Sequence, residues 1–287
     1  RGGLLGEIAE YSSKLKGKNI RSFLILAAAQ EGGPVSADVV RFAAAVEILH
    51  TATLVHDDCI DGEVSRRGLT SVNKKFGDKN AVLYGDSLFT SAFSLLTRIE
   101  TVDLVRPSLE VVQRLVWGEV EEEHCLWDID AARAKYWDII QSKTAALFGL
   151  ATRGAGLLTA PALAPTYHDL GFSFGTLFQV VDDIHDFLDG DLARGNLTLP
   201  LLRAYEDATP DEQKAIRTAI SARGENGHIR TITEITKKNG GFEKAAARSQ
   251  EIFRDCREHL TGLPRDGRPF SVLEGILLAY RENFMTD

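Results

Sequence analysis

Residues 42–68 read FAAAVEILHTATLVHDDCIDGEVSRRG. Apolar residues recur there at three- and four-residue spacing, the period of an α-helix. Ser36 is placed to cap the start of this helix, which then runs to about Asp61. Its far end gathers Asp57, Asp58 and Asp61, although the C-terminus of a helix carries the negative end of its dipole. Like charges four residues apart, here Asp57 and Asp61, repel as well. Something must compensate for these acids.

The same period pervades the chain. Prolines at 34, 107, 161, 165, 200, 210, 264 and 269 punctuate long proline-free blocks. Helices are predicted near 4–16, 19–31, 37–61, 81–99, 132–157, 166–189, 197–206, 211–223, 227–238, 242–260 and 270–284, with another starting around Pro107. No hairpin signal or β-branched run stands out. The expected fold is all-α. The helices near 37–61 and 166–189 are apolar around most of their circumference and should be central to it. No linker-like segment divides the chain, so residues 1–287 are expected to form one domain.

A net charge of −8 argues against a nucleic-acid partner. Three cysteines, Cys59, Cys125 and Cys256, are far apart and form no CxxC pair, which suits a reducing compartment rather than a disulfide framework or a zinc site. No uninterrupted apolar run reaches the roughly 18 residues of a membrane span. The longest candidate is broken by Glu47, His50 and His56. The expected location is cytoplasmic. Because the chain opens on Arg1 rather than Met, a lost targeting segment stays open.

At 100° per residue Asp57 and Asp61 share a helix face with His50, and Asp58 lies beside them. Three carboxylates so placed make a hard-oxygen site suited to Mg²⁺, though a lone cluster of this kind is as often a solvated helix end. The pattern returns in FQVVDDIHDFLD. There Asp182, Asp183 and Asp186 repeat the i, i+1, i+4 arrangement, with Gln179 one turn earlier. Two such clusters on two apolar helices are hard to explain as chance surface. Facing each other across a cavity, they would need cations to neutralise them and an anionic substrate to bridge those cations. The nearby basic residues then acquire a purpose: Arg66 and Arg67, Lys18 and Arg21 in KGKNIRS, and Lys143 beside Thr144. The two arginines are expected to hold phosphate oxygens rather than to pair simply with the aspartates.

EILHTATLVHDDCIDGEVSRRG and FQVVDDIHDFLDGD…TLPLL closely resemble the two aspartate-rich regions of the trans-isoprenyl (polyprenyl) diphosphate synthases. GKNIRS resembles that family's GGKxxRP element, and SKTA its lysine–threonine element. The resemblance implies a bundle of long, mostly antiparallel helices around a central cavity, the isoprenoid-synthase fold. It implies that Asp57, Asp61 and Asp182 bind three Mg²⁺ ions, with Asp58, Asp183 and Asp186 in support. Arg66, Lys143 and Gln179 would contact an allylic diphosphate. Lys18, Arg21, His50 and Arg67 would hold isopentenyl diphosphate, with Phe178 on its hydrocarbon part. Gln179 and Thr144 would stabilise the allylic cation, and the enzyme would be a homodimer.

Chain length would follow from the depth of an apolar tunnel below the first aspartates. Ala52 and Thr53, five and four positions before Asp57, are small, which resembles medium- and long-chain synthases. A deeper group such as Phe93 would close the tunnel earlier and give a farnesyl or geranylgeranyl product.

Two departures accompany the resemblance. Ser22 stands where the family has proline. No GKxxGxD loop follows Asp186, and Asn196 stands where a later lysine is usual. The alternatives are a class I terpene cyclase, a regulatory subunit of a two-component synthase, and a di-iron protein using Glu47-x-x-His50 and Glu121-x-x-His124. The EEEH run at 121–124 is otherwise expected to be a solvated face.

Overall fold

A computed structural model describes residues 2–15, 17–32, 35–223, 228–264 and 268–284. They divide into two compact units, Arg1–Pro107 with Gly154–Ala164, and Ser108–Arg153 with Pro165–Asp287. Each is taken by itself.

The first unit contains α1 (Leu4–Ser12), α2 (Ile20–Ala28), α3 (Ala37–Ile60), a two-stranded ribbon β1 (Ser65–Arg66) and β2 (Leu69–Thr70), α4 (Val72–Phe76) and α5 (Asp78–Leu96). Ser36 caps α3 as expected, its hydroxyl accepting from Val39 N–H at 3.3 Å. Helix α3 packs along α5 and also contacts α2. Phe42, Leu49 and Ala52 on α3 are fully buried. By length and composition α3 is the one helix among the described residues apolar enough to cross a membrane, and 44% of that window is buried inside the protein. Val39, Phe42, Val46, Leu49 and Val55 of this helix are buried in the core, while Val40 and Ile60 are exposed. Ile8, Val55, Val72, Ala81 and Tyr84 form a second cluster that ties α1, α4 and α5 to the acidic end of α3.

The ribbon was not expected. Its strands pair Ser65 with Thr70 and Arg66 with Leu69. Two residues per strand are too few for alternation to register in the sequence. The turn between them holds Arg67 (φ 53°) and Gly68 (φ 77°) both left-handed, the backbone of a tight hairpin that usually recruits Asn-Gly.

The second unit begins within α6 (Val105–Cys125) and continues through α7 (Ile129–Ile140), α8 (Ala146–Thr159) as far as Arg153, α9 (Ala164–Asp186) from Pro165, α10 (Leu192–Arg194), α11 (Leu199–Glu206), α12 (Pro210–Ser221), α13 (His228–Lys238), α14 (Gly241–Thr261) and α15 (Arg268–Phe284). Asp128 caps α7, and Thr209 with Glu212 forms a reciprocal capping box on α12. Helix α11 packs against α13 and α14. The all-α expectation holds.

Two expected helices are interrupted. The one predicted over 132–157 is α7 and α8 joined by a wide π-helical turn, Gln141–Ala145. The one over 166–189 ends at Asp186, and the chain past it kinks where Gly190 (φ 139°, ψ −13°) leaves the helical conformation. Glycines press on the Gln141–Ala145 turn from two helices. A Cβ at Gly118 would lie 2.9 Å from Lys143 N, and one at Gly175 only 2.7 Å from Ala145 Cα. Wide turns of this kind mark functional positions in helices.

Candidate active site

In the first unit, the end of α3 sorts its three acids. Asp58 is 1% exposed, while Asp57 is half-buried and Asp61 exposed. Asp58 accepts from Arg66 Nε at 2.5 Å and also pairs with Arg66 Nη2. Its backbone carbonyl accepts from buried Asn73 Nδ2 at 2.8 Å. Burial pushes the Asp58 carboxyl up, and Arg66 opposes that shift. The expectation that neither arginine pairs with the aspartates is therefore corrected for Arg66. A carboxylate this buried needs a charged partner, and the ribbon delivers one.

Arg67 goes elsewhere, because the tight turn reverses the chain directly after Arg66. Its Nη1 donates to Leu15 O at 2.7 Å, and its guanidinium fills the space a Cβ would occupy on Gly17. Burial, then the like charge of Arg66, lowers the Arg67 pKa. His50 is held well below its ordinary value by burial, then by Arg21, Arg67 and Arg66. Four of the expected diphosphate ligands thus share one local field. Lys18 is exposed just ahead of α2. Ser22 N–H donates to Glu47 Oε1 at 2.8 Å, so Glu47 caps the first turn of α2. Ala52 is fully buried, and the half-buried Thr53 donates to His50 O at 2.9 Å.

In the second unit α9 repeats the sorting. Asp183 is 3% exposed, Asp182 is half-buried and Asp186 exposed. Tyr136 OH donates to Asp183 Oδ2 at 2.5 Å, and Gln179 Nε2 donates to Asp183 Oδ1 at 2.8 Å. Thr144 Oγ1 donates to Gln179 Oε1 at 2.6 Å. Burial raises Asp183 to about 7, against the pull of those two hydrogen bonds. Beside this chain lies a cavity of about 30 Å³, lined in part by Glu122, Asn196 and Thr198 and roomy enough for ordered water.

Lys143, on the wide turn, pairs with Glu119 at 2.7 Å and with Glu122. The EEEH segment is thus only partly a solvated face. Glu123 and His124 are exposed, Glu121 lies 3.7 Å from Lys135, and Glu122 turns to Lys143. Phe178 stacks on Tyr280 of α15 with centroids 5.8 Å apart. Asp191 pairs with Arg194 at 3.0 Å, and Gly195 packs against the Trp127 ring. Burial pushes Asp191 up to about 6.

Tyr136, Glu119, Glu122 and Asn73 were not foreseen. Tyr136 lies seven residues before Lys143, two turns along the same helical direction, but a tyrosine in an amphipathic helix carries no signal by itself.

A protein-family model described as polyprenyl synthetase matches residues 3–236. The chain belongs to this family. It is a prenyltransferase of isoprenoid biosynthesis. The octaprenyl diphosphate synthase of Haemophilus influenzae is 30% identical to it over 98% of this chain and 89% of the relative. That of Escherichia coli is 34% identical over 86% of this chain and 80% of the relative. The crystal structure of a decaprenyl diphosphate synthase from Rhodobacter capsulatus superposes with a TM-score of 0.92 at 27% identity, covering 98% of this chain and 90% of that one. The cyclase, regulatory-subunit and di-iron alternatives gain nothing from these relatives. Glu47 and Glu121, which a di-iron centre would need, are engaged by Ser22 and Lys135.

Polyprenyl synthetases use isopentenyl and allylic diphosphates with Mg²⁺. The donor set fits that ion. In each cluster the two acids one turn apart are the more accessible pair, and hard carboxylate oxygens with room for waters and phosphate oxygens are what Mg²⁺ takes.

Proposed function

We propose that this chain, acting over 1–287 as one catalytic domain, condenses isopentenyl diphosphate with an allylic diphosphate to an all-trans polyprenyl diphosphate longer than geranylgeranyl. The observation that carries it is the repeated sorting of acids. In both clusters the middle aspartate is locked into the protein and the i, i+4 pair is the more exposed.

Asp57, Asp61 and Asp182 would hold three Mg²⁺ ions, with Asp186 in support, and these would supply the positive charge that stabilises a departing diphosphate. Lys143 and Arg66 bind the allylic diphosphate, and Lys18, Arg21, His50 and Arg67 bind isopentenyl diphosphate. The shared field of His50 and three arginines suits an anion and keeps His50 neutral without one. Gln179 Oε1 and Thr144 Oγ1 face the developing allylic cation as acceptors, and Phe178 packs on the incoming five-carbon unit. The alkene attacks the cation, and a proton then leaves to the released diphosphate. Apolar walls keep out water that would quench the cation. The small Ala52 and Thr53 leave the growing chain room below the first cluster.

The active form is a homodimer. Leu109, Val116 and Val120 form one exposed apolar stripe on α6, at 46%, 57% and 61% exposure, the kind of surface a second copy covers. A cytoplasmic location agrees with the three free thiols.

The test incubates the purified chain with isopentenyl diphosphate, allylic primers of several lengths and Mg²⁺, followed by product chromatography. Main products longer than twenty carbons are expected. No uptake of isopentenyl diphosphate would overturn the assignment, and a farnesyl or geranylgeranyl end product would overturn its chain-length part. Light scattering should give twice the chain mass, falling to a monomer for Val120→Asp.

A further inference from the structure

Tyr136 stands outside both aspartate clusters and outside the lysine–threonine element. It is 6% exposed, and its one polar atom is spent on Asp183. From there three hydrogen bonds run in series through Asp183, Gln179 and Thr144, at 2.5, 2.8 and 2.6 Å. The members come from α7, the wide turn and α9, so the chain of bonds ties three segments together.

The direction of each bond is what matters. Asp183 uses one oxygen for Tyr136 and the other for Gln179, so both oxygens act as acceptors. An acceptor at that position draws the NH₂ end of the Gln179 amide toward itself and turns Oε1 toward Thr144. Thr144 then spends its single proton on Oε1. What remains for a bound substrate is two oxygens presenting lone pairs. Were the amide turned over, its NH₂ would face Thr144, whose proton would be released outward. Both groups would then meet a cation with their positive ends.

We propose that Tyr136 is a positioning residue for the condensation: by holding Asp183 it sets the amide orientation of Gln179 and the proton of Thr144, so that both present lone pairs to the allylic cation. The inference rests on the roles given above to Gln179 and Thr144. Tyrosine suits the task because burial, then the Asp183 charge, raises its pKa well above the ordinary value, so it stays a donor throughout the working pH range. Phenylalanine would fill the same space and leave one Asp183 oxygen unsatisfied, free to draw Asp183 away from Gln179.

The experiment is a double-mutant cycle on kcat with Tyr136→Phe, Thr144→Val and the double variant, alongside KM for both diphosphates and melting temperature. Tyr136→Phe is expected to lower kcat about tenfold with KM for isopentenyl diphosphate unchanged. The double variant should lose little more than the worse single one, because both act through one chain of bonds. Losses that multiply, or a kcat equal to wild type, would overturn the proposal. If Tyr136→Phe does not fold, fluorotyrosine at 136 keeps the ring and the donor while changing its acidity. A graded kcat is then expected, and an unchanged one overturns the proposal. Should the wild-type chain fail to consume isopentenyl diphosphate, the functional assignment fails. Should wild type turn over and Tyr136→Phe match it, only the positioning role fails.

Discussion

The backbone N–H of Ser22 donates a 2.8 Å hydrogen bond to Glu47 Oε1, at the position matching the proline of the GGKxxRP element that GKNIRS resembles, a residue with no N–H to give. The departure is thus coupled to a carboxylate on α3 that caps α2. The Ser22 hydroxyl also donates to Asn19 O at 3.0 Å, closing the first turn.

Introducing proline at this position tests that coupling. Ser22→Pro fits the first turn sterically, and proline there lowers the entropy of the unfolded chain by less than about 1 kcal/mol. It also removes a hydrogen bond to a charged acceptor, worth roughly 1.5–3 kcal/mol. A net loss of about 1–2 kcal/mol is expected in denaturant unfolding. A gain in stability would show that Glu47 finds another partner at no cost.

The sorting of acids predicts two kinds of variant. Asp57→Ala or Asp182→Ala should lower turnover by at least about a hundredfold with the melting transition little changed. Asp58→Ala leaves the Arg66 guanidinium without its buried partner and should cost about 3 kcal/mol of stability. Calorimetry and Mg²⁺-dependent turnover on the three variants separate the roles. Retained turnover in Asp57→Ala or Asp182→Ala would sink the metal assignment.

Ala52 is fully buried one and a half turns before Asp57. Ala52→Tyr would place a ring where the growing chain is expected to pass, so the main product should shorten. An unchanged product distribution by chromatography would remove Ala52 from the tunnel. A loss of folding, visible by circular dichroism, would mean its neighbours cannot move aside.

The pH dependence of stability carries a definite sign. Burial raises Asp183 to about 7 in the folded protein, while the unfolded chain ionises near 4. Below about pH 4 both states hold the proton and the residue contributes nothing. Between about pH 4 and 7 the unfolded chain ionises first, so stability falls as pH rises. The full loss, on the order of 4 kcal/mol, is reached above about pH 7. Asp191, raised to about 6, adds in the same direction. In the metal-free protein Asp183→Asn should therefore flatten the curve of Tm against pH, gaining on wild type as pH rises toward 8. Parallel curves would refute the assignment.

Much of this protein is legible from its residues alone. Helical periodicity, the Ser36 cap and the prolines determined an all-α chain, because those signals act within a few residues of themselves. The doubled i, i+1, i+4 acids identified the chemistry, since a helix brings such residues to one face without any tertiary help. Only the folded chain decided which acid of each trio is locked in place, because burial of Asp58 and Asp183 depends on Arg66, Asn73 and Tyr136, up to 47 residues away. It also decided that Lys143 rides a wide turn, because the glycines backing that turn come from α6 and α9. Arg66 and Arg67, adjacent in sequence, part company for the same kind of reason: a ribbon too short to announce itself sends one to Asp58 and the other to Leu15. Local pattern named the chemical groups, and contacts between distant segments set what each one faces.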